Sequence, residues 1–419
     1  MAEHSTIEWT DATWQPITGC SVVSPGCTNC YAMRLAGTRL KHHPSRANLT
    51  TMTKGGPVWN GAVRLNPEWL TQPLGWKRPR RIFVCAHGDL FHESVPDEWI
   101  DQIFAVMALT PQHTYQVLTK RSARMRDYIC TRAGDWQVVL PDACAPGTLP
   151  ITKNDVARAL GRLPKFSYDP PTPTWPLANV WLGVSTERQK EADERIPDLL
   201  ATPAAVHFIS AEPLLGPIDL TAIKATHVPG TPDDSDMGWT FNSLATGDYY
   251  SFKDDRGYNE GGDGPHREHA LDWVIVGGES GPDARPMHPD WARSIRDQCA
   301  AAGVPFFFKQ WGSWYPIVDR DKEDPDWRAD YGRASRSPEK FRILNLAGGC
   351  GFHGDSVHLM QRYSKSATGR LLDGVTYDAM PKAVAEQLIA RQRPSIQNAG
   401  DALDEQTRGA PISVRGAPR

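Results

Sequence analysis

The sequence predicts an α/β chain with a TIM-barrel-like fold: a complete or partial β/α barrel of about seven parallel strands, with loop insertions and a disordered C-terminal tail. Three observations carry this. Short apolar runs such as RIFVCAH (81–87), VWLGVS (180–185) and WVIVGG (273–278) are continuous rather than alternating, as in strands buried on both faces. Helical segments separate them, so the strands are parallel and joined by crossovers. Polar residues gather directly after the runs, at the strand ends where a β/α barrel places its chemistry.

The elements follow in order. A first strand leads into Cys20, and CYAMRLAGTRLKHH reads as a helix. Residues 44–80 read as an insertion, with turn residues at Gly55, Gly56 and Pro57 and a basic end. RIFVCAH is the second strand. PDEWIDQIFAVMAL (96–109) is a helix with Pro96 near its start and Asp97 and Glu98 in the first turn, where the helix dipole favours acids. TYQVLT (114–119) is the third strand and 121–130 a helix. Residues 131–178 form a second insertion, proline-rich from Asp169 to Pro176. VWLGVS is the fourth strand, 187–201 a charged helix and AVHFISA (205–211) the fifth strand. The Gly/Asp/Ser-rich stretch 221–270 reads as a third insertion, a loop or flexible lid. WVIVGG is the sixth strand. HPDWARSIRDQCAAAG (288–303) is a helix stopped by Gly303, and VPFFFKQ (304–310) is the seventh strand. A last helix is expected over 381–392. Residues 1–392 therefore read as one domain, and 393–419, with few apolar residues, as a disordered tail.

With 419 residues, 40% of them hydrophobic, the chain has enough apolar material for such a core. A net charge of −3 excludes a global basic field, so a dedicated DNA-coating protein is not expected. The N-terminus MAEHSTIEWTD has neither the basic start nor the apolar segment of a signal peptide, and no apolar run approaches a membrane span. A cytoplasmic protein without membrane association is the expectation.

The densest chemical signal is TWQPITGCSVVSPGCTNCYAMR (13–34). Cys20, Cys27 and Cys30 follow a C-x6-C-x2-C pattern. Closely spaced cysteines in a chain without secretory features read as metal ligands. Three thiolates suit three irons of a [4Fe–4S] cluster whose fourth iron stays open to a ligand. A closed zinc site wants a fourth protein ligand, and the local sequence offers none. The other cysteines, Cys85, Cys130, Cys144, Cys299 and Cys350, are scattered singly.

The run TWQPITGC…SPGCTNCYA resembles the phage-associated three-cysteine-motif family, radical-SAM-like and of unassigned substrate. The blocks RIFVCAHGDLFHESVP (81–96), YQVLTKR (115–121), VWLGVSTE (180–187), FISAEPLLGPI (208–218), VIVGGESGPDARPM (274–287), FFFKQWG (306–312) and GRLLDG (369–374) resemble that family's blocks in the same order. The spacing differs from the commoner radical-SAM pattern C-x3-C-x2-C. The resemblance implies a TIM-barrel-like fold, a [4Fe–4S] cluster on Cys20, Cys27 and Cys30, and S-adenosylmethionine bound at the open iron. It also implies an electron donor such as flavodoxin or ferredoxin and a partner protein. The phage association suggests a nucleic acid or nucleotide substrate, for modification or repair.

The strand ends supply the remaining candidates. Gly277, Gly278, Glu279 and Ser280 follow the sixth strand; two glycines would expose backbone to a ligand, and Glu279 would accept from the ammonium of S-adenosylmethionine. Ser185, Thr186 and Glu212 are rival contacts to the same cofactor. Lys120, Asp89 and Lys309 are the catalytic candidates. Asp89 suits acid–base work or loop capping, and Lys120 and Arg121 suit an anion or an ion pair. Lys309, among Phe306 to Phe308 and Trp311, requires an internal glutamate or a substrate anion. Arg285 suits a carboxylate, a phosphate or a surface ion pair. Two other functions remain open at this point. One is a non-catalytic barrel with zinc on the three cysteines and a histidine. The other is a metal-dependent hydrolase or nuclease using Asp89, His87, His92 and Glu212.

Overall fold

Seven parallel strands form the central sheet of the computed structural model, which describes residues 5–133, 175–225, 238–252, 263–320, 327–349 and 355–381. They are β1 (Ala12–Trp14), β2 (Arg81–Val84), β3 (Thr114–Thr119), β4 (Val180–Ser185), β5 (Val206–Ala211), β6 (Trp273–Gly277) and β7 (Phe306–Gln310). Their spatial order is their chain order, and every neighbouring pair is parallel. The sheet curls into a half-barrel in which β1 and β7 remain edges, so the fold is partial TIM-barrel-like.

The central strands β4, β5 and β6 bury both faces, while inner residues of β1, β2 and β3 are in part half-buried, and the two faces carry different things. Outward residues such as Ile82, Val84, Tyr115, Val117, Leu182, Val184, Val274 and Val276 join the apolar core. The helices bring Ile100, Ile103 and Phe104 from α2 (Asp97–Ala108), Met125 from α3 (Ser122–Ala133), Ile196 and Leu199 from α4 (Gln189–Leu200), and Ile295 from α5 (Pro289–Ala302). The inner face carries an aromatic layer. Trp273 lies with its ring centroid 5.7–6.2 Å from those of Trp9, Trp181, Phe208 and Phe307. Gly183 makes room for it: a Cβ there would sit 2.5 Å from the Phe208 ring. Above this layer, toward the strand C-termini, the same face turns polar with Ser185, Ser210, Glu212 and Lys309.

The free edge of β7 is covered. The Phe308 amide donates to the Tyr377 carbonyl at 2.9 Å, Phe307 and Asp378 form an antiparallel bridge, and Trp273 Nε1 donates to the Ala379 carbonyl at 2.9 Å. The GRLLDG block precedes this segment. It forms a small hairpin, Leu371–Leu372 with Val375–Thr376, turned at Asp373 and Gly374, both in the left-handed region.

The insertions are more ordered than expected. In 44–80, Thr50–Thr53 and Gly56–Trp59 pair as a hairpin, and Trp59 and Leu49 pack on Ala32, Met33 and Ala36 of α1 (Tyr31–Gly37). That helix is shorter than predicted. The loop-or-lid expectation for 221–270 is corrected. Ile223–Ala225, Gly238–Phe241, Gly247–Phe252 and Asp263–Arg267 form a four-stranded antiparallel sheet between β5 and β6. Its Gly/Asp/Ser content conceals a few strong anchors. Ile223, Trp239, Phe241 and Tyr249 are buried, and the Arg267 guanidinium lies 4.5 Å from the Phe241 ring centroid. Trp314–Arg320, Phe341–Leu344 and Val357–Arg362 form a further three-stranded sheet that the sequence did not announce. Most of the 131–178 insertion, the helix proposed for 381–392, the 393–419 tail, Cys144 and Cys350 lie outside the described residues.

α5 shows its sequence signals directly. The His288 side chain caps it by accepting from the Asp290 amide, Pro289 opens it, and Gly303 closes it at φ 69°. No described helix is long and apolar enough to cross a membrane.

Candidate functional site: a three-cysteine cavity

Cys20, Cys27 and Cys30 line one wall of a cavity of about 590 Å³ at the C-terminal ends of the strands. The loop that carries them is fastened by residues from three different strand ends. After β3, Arg121 donates to the Cys20 sulfur at 3.3 Å, the Ser21 carbonyl at 3.2 Å and Ser21 Oγ at 2.6 Å. After β4, Glu187 accepts from Ser24 Oγ at 2.8 Å. After β6, Glu279 accepts from Asn29 Nδ2 at 2.9 Å, and Arg285 donates to the Pro25 carbonyl at 2.9 Å. Gly26 lies against Glu187, where a Cβ would come within 2.2 Å of its carboxylate. The convergence of strand ends on the cysteine loop, read from the sequence, is therefore a set of hydrogen bonds.

Each fastening group is itself held. Asp89 accepts from the Phe91 amide (3.0 Å), Thr119 Oγ1 (2.7 Å), the Lys120 amide (3.1 Å) and Arg121 Nη1 (3.1 Å). With its acceptor sites engaged, Asp89 orients Arg121; the acid–base role gives way to loop capping. Glu187 is fully buried and accepts from Arg195 at 2.9 Å and from Lys120 Nζ. Burial opposes its charge, but Lys120 and Arg195 hold its carboxyl below the ordinary value. Lys120, a catalytic candidate, is thus tied to a group that holds the loop. Glu279 takes Arg285 bidentately, at 2.9 and 2.6 Å, besides the Arg285 amide at 2.8 Å. Its carboxylate is engaged by these protein donors while Glu279 also lines the cavity.

The glycines before it are also explained by protein contacts. A Cβ on Gly278 would lie 1.9 Å from the Trp311 carbonyl oxygen, and one on Gly277 would lie 3.3 Å from the Glu212 carboxyl carbon. Close backbone packing demands Gly278, while Gly277 leaves room for the Glu212 side chain. Ser280, Ser185 and Ser210 line the cavity. Lys309 Nζ meets both oxygens of Glu212 at 2.7 Å, which supplies the internal glutamate expected for it.

Among the described residues, the group of three His, Cys, Asp or Glu side chains with ligand atoms within 4.8 Å of one another is His288, Asp290 and His358. His288 Nδ1 already accepts from the Asp290 amide and its Nε2 donates to the Ser356 carbonyl at 2.6 Å, so it caps a helix instead of offering a lone pair. The set His87, Asp89, His92 and Glu212 is not gathered around one point. His92 bonds Ser21 Oγ at 3.0 Å and the Ser94 amide at 3.1 Å, and His87 faces Arg46 at 2.9 Å. Burial, with Arg46 adding to it, pushes His87 down to about 4, so its ring is neutral at physiological pH. Among the described residues, the three cysteine sulfurs do not all lie within 4.8 Å of one another. A polynuclear cluster binds each thiolate to a different iron and accepts such a spread. The donor set, its cavity and its fastened loop fit that group.

Burial pushes the Cys20 thiol up to about 12, with Asp89 adding to the rise and Arg121 opposing it; burial also raises Cys30. The sign is clear: a thiol held above its ordinary value stays protonated near neutrality, and ligation must expel the proton. Metal-free Cys20 is therefore expected to react with iodoacetamide at about pH 8 more slowly than exposed Cys130, whose thiol burial also raises. Mass mapping that finds the two labelled equally fast would contradict this.

The sequence placed Glu187 at the end of the fourth strand without giving it a role, and it did not single out Asn29 as a site residue. Glu187 had a signal, a lone acid at the end of a strand buried on both faces. Asn29 had only its place between two cysteines.

The fold and site define a half-barrel α/β protein with a three-thiol cavity at its strand C-termini. The chain belongs to the family described as protein of unknown function (DUF5131), whose model matches residues 4–381. No curated protein and no solved structure matches it.

Proposed function

We propose that the protein is a cytoplasmic, radical-SAM-like iron–sulfur enzyme of the three-cysteine-motif type. The observation that carries this is the set of three cysteines, on one fastened loop, facing one cavity at the chemical end of a half-barrel. Cys20, Cys27 and Cys30 would hold a [4Fe–4S] cluster, which would supply the electron for reductive cleavage of S-adenosylmethionine.

The chain's own residues bind, orient and exclude water. Arg121 fixes Cys20 and Ser21 against β3, while Glu187 and Glu279 hold Ser24 and Asn29. The aromatic layer under the cavity keeps water from entering through the barrel floor. Ser185, Ser210, Lys309 and Gln310 present polar groups to a bound molecule. The resemblance of the sequence blocks supports a nucleic acid or nucleotide as substrate and a flavodoxin- or ferredoxin-type electron donor.

The test is reductive cleavage. Reconstituted protein given dithionite and S-adenosylmethionine is expected to release 5′-deoxyadenosine and methionine in equal amounts, and Cys27→Ala to release neither. Equal release from both proteins, or none from either, would sink the proposal.

A further inference from the structure

Of the acid–base pairs around the cavity, Asp89–Arg121 and Glu212–Lys309 have both members in its lining, and the two are held differently. Asp89, Glu187 and Glu279 each hold a cation together with backbone amides, a hydroxyl, an amide side chain or a second cation. Glu212 holds Lys309, with Gln310 Nε2 at 3.5 Å; among the described residues no backbone amide and no second cation reaches it. Both side chains keep some exposure, 20% for Glu212 and 12% for Lys309, and both line the cavity. Gly277 leaves the space in which the Glu212 carboxylate lies.

We infer that the Glu212–Lys309 pair is the subsite for an α-amino-acid group, with Lys309 taking the carboxylate and Glu212 the ammonium. This rests on the proposed function only for one of two sources of that group, the methionyl end of S-adenosylmethionine; the other is a free amino acid. The reason is charge compensation. A lone anion that captured Lys309 would strand a half-buried carboxylate, and a lone cation that captured Glu212 would strand the ammonium. A zwitterion inserted between them turns one ion pair into two and strands neither. The Gln310 amide, braced by Ser280 Oγ at 3.4 Å, adds a neutral polar group beside it. The pairs of Asp89, Glu187 and Glu279 are too heavily bonded to open in this way.

The test titrates the full reconstituted chain with S-adenosylmethionine, L-methionine and 5′-methylthioadenosine, which lacks the amino-acid end. The Glu212→Gln/Lys309→Gln double variant carries no stranded charge, and Glu212→Gln alone serves as the second variant. Near-ultraviolet circular dichroism and iron content check fold and loading. Expected is a loss of about tenfold or more in affinity for the ligands that carry the amino-acid group, with 5′-methylthioadenosine unchanged. Pair-dependent binding of L-methionine without binding of S-adenosylmethionine keeps the subsite and removes the proposed cofactor. Unchanged affinity in both variants, an equal loss for 5′-methylthioadenosine, or no binding of either amino-acid ligand to the natural chain overturns the inference.

Discussion

Replacing Arg121 by alanine is expected to cost the fold about 3–5 kcal/mol. Arg121 and Asp89 meet at 3.1 Å with side chains only 5% and 6% exposed. Without the guanidinium, Asp89 keeps three neutral donors and no countercharge inside the protein. The same substitution removes the bonds to Cys20 and Ser21 and loosens the first half of the cysteine loop. The Asp89→Asn/Arg121→Met double variant should lose much less, because no charge is left buried alone. Lys190→Ala, which breaks the exposed pair with Glu194, should leave stability unchanged within error. Urea unfolding followed by tryptophan fluorescence reads all three. A loss below about 1 kcal/mol for Arg121→Ala would mean that water replaces the guanidinium and that the loop is not fastened there.

Much of the architecture was legible because it rests on short-range signals. Strands β2 to β7 announce themselves as short, largely apolar runs, and α5 by Pro289 and Gly303, whereas β1 is only the three residues Ala12–Trp14. What the sequence hid depends on contacts distant along the chain. The antiparallel sheet between β5 and β6 lies in a polar stretch whose anchors, Trp239, Phe241 and Tyr249, are too few for a clear period. The segment Tyr377–Ala379 covers the β7 edge through backbone bonds, which no side-chain pattern encodes.

The site divides in the same way. The cysteines and the polar strand ends were readable, and they do share one cavity. The partners of the charges were not, since Glu187 and Ser24 lie 163 residues apart and Asn29 and Glu279 lie 250 apart. Glu279 drew notice because it follows two glycines. Those glycines answer to Trp311 and Glu212, and the carboxylate to Arg285. Glu212 and Lys309, from the ends of two different strands, form one pair.

The second large effect concerns the thiols. Cys27 is buried in the loop between Ser24 and Asn29, with Ser24 Oγ 3.9 Å from its sulfur and engaged by Glu187. Cys27→Ala is therefore expected to abolish iron retention while leaving Arg121, Glu187 and Glu279 to hold the loop. The measurement that tests the account most directly is the iron, sulfide and zinc content of the natural chain and of Cys27→Ala after anaerobic reconstitution, read beside the visible spectrum. The account predicts about four irons per natural chain, with broad absorption near ~400 nm, both lost in the variant. One zinc per chain, or no metal in either protein with the fold intact, would contradict it.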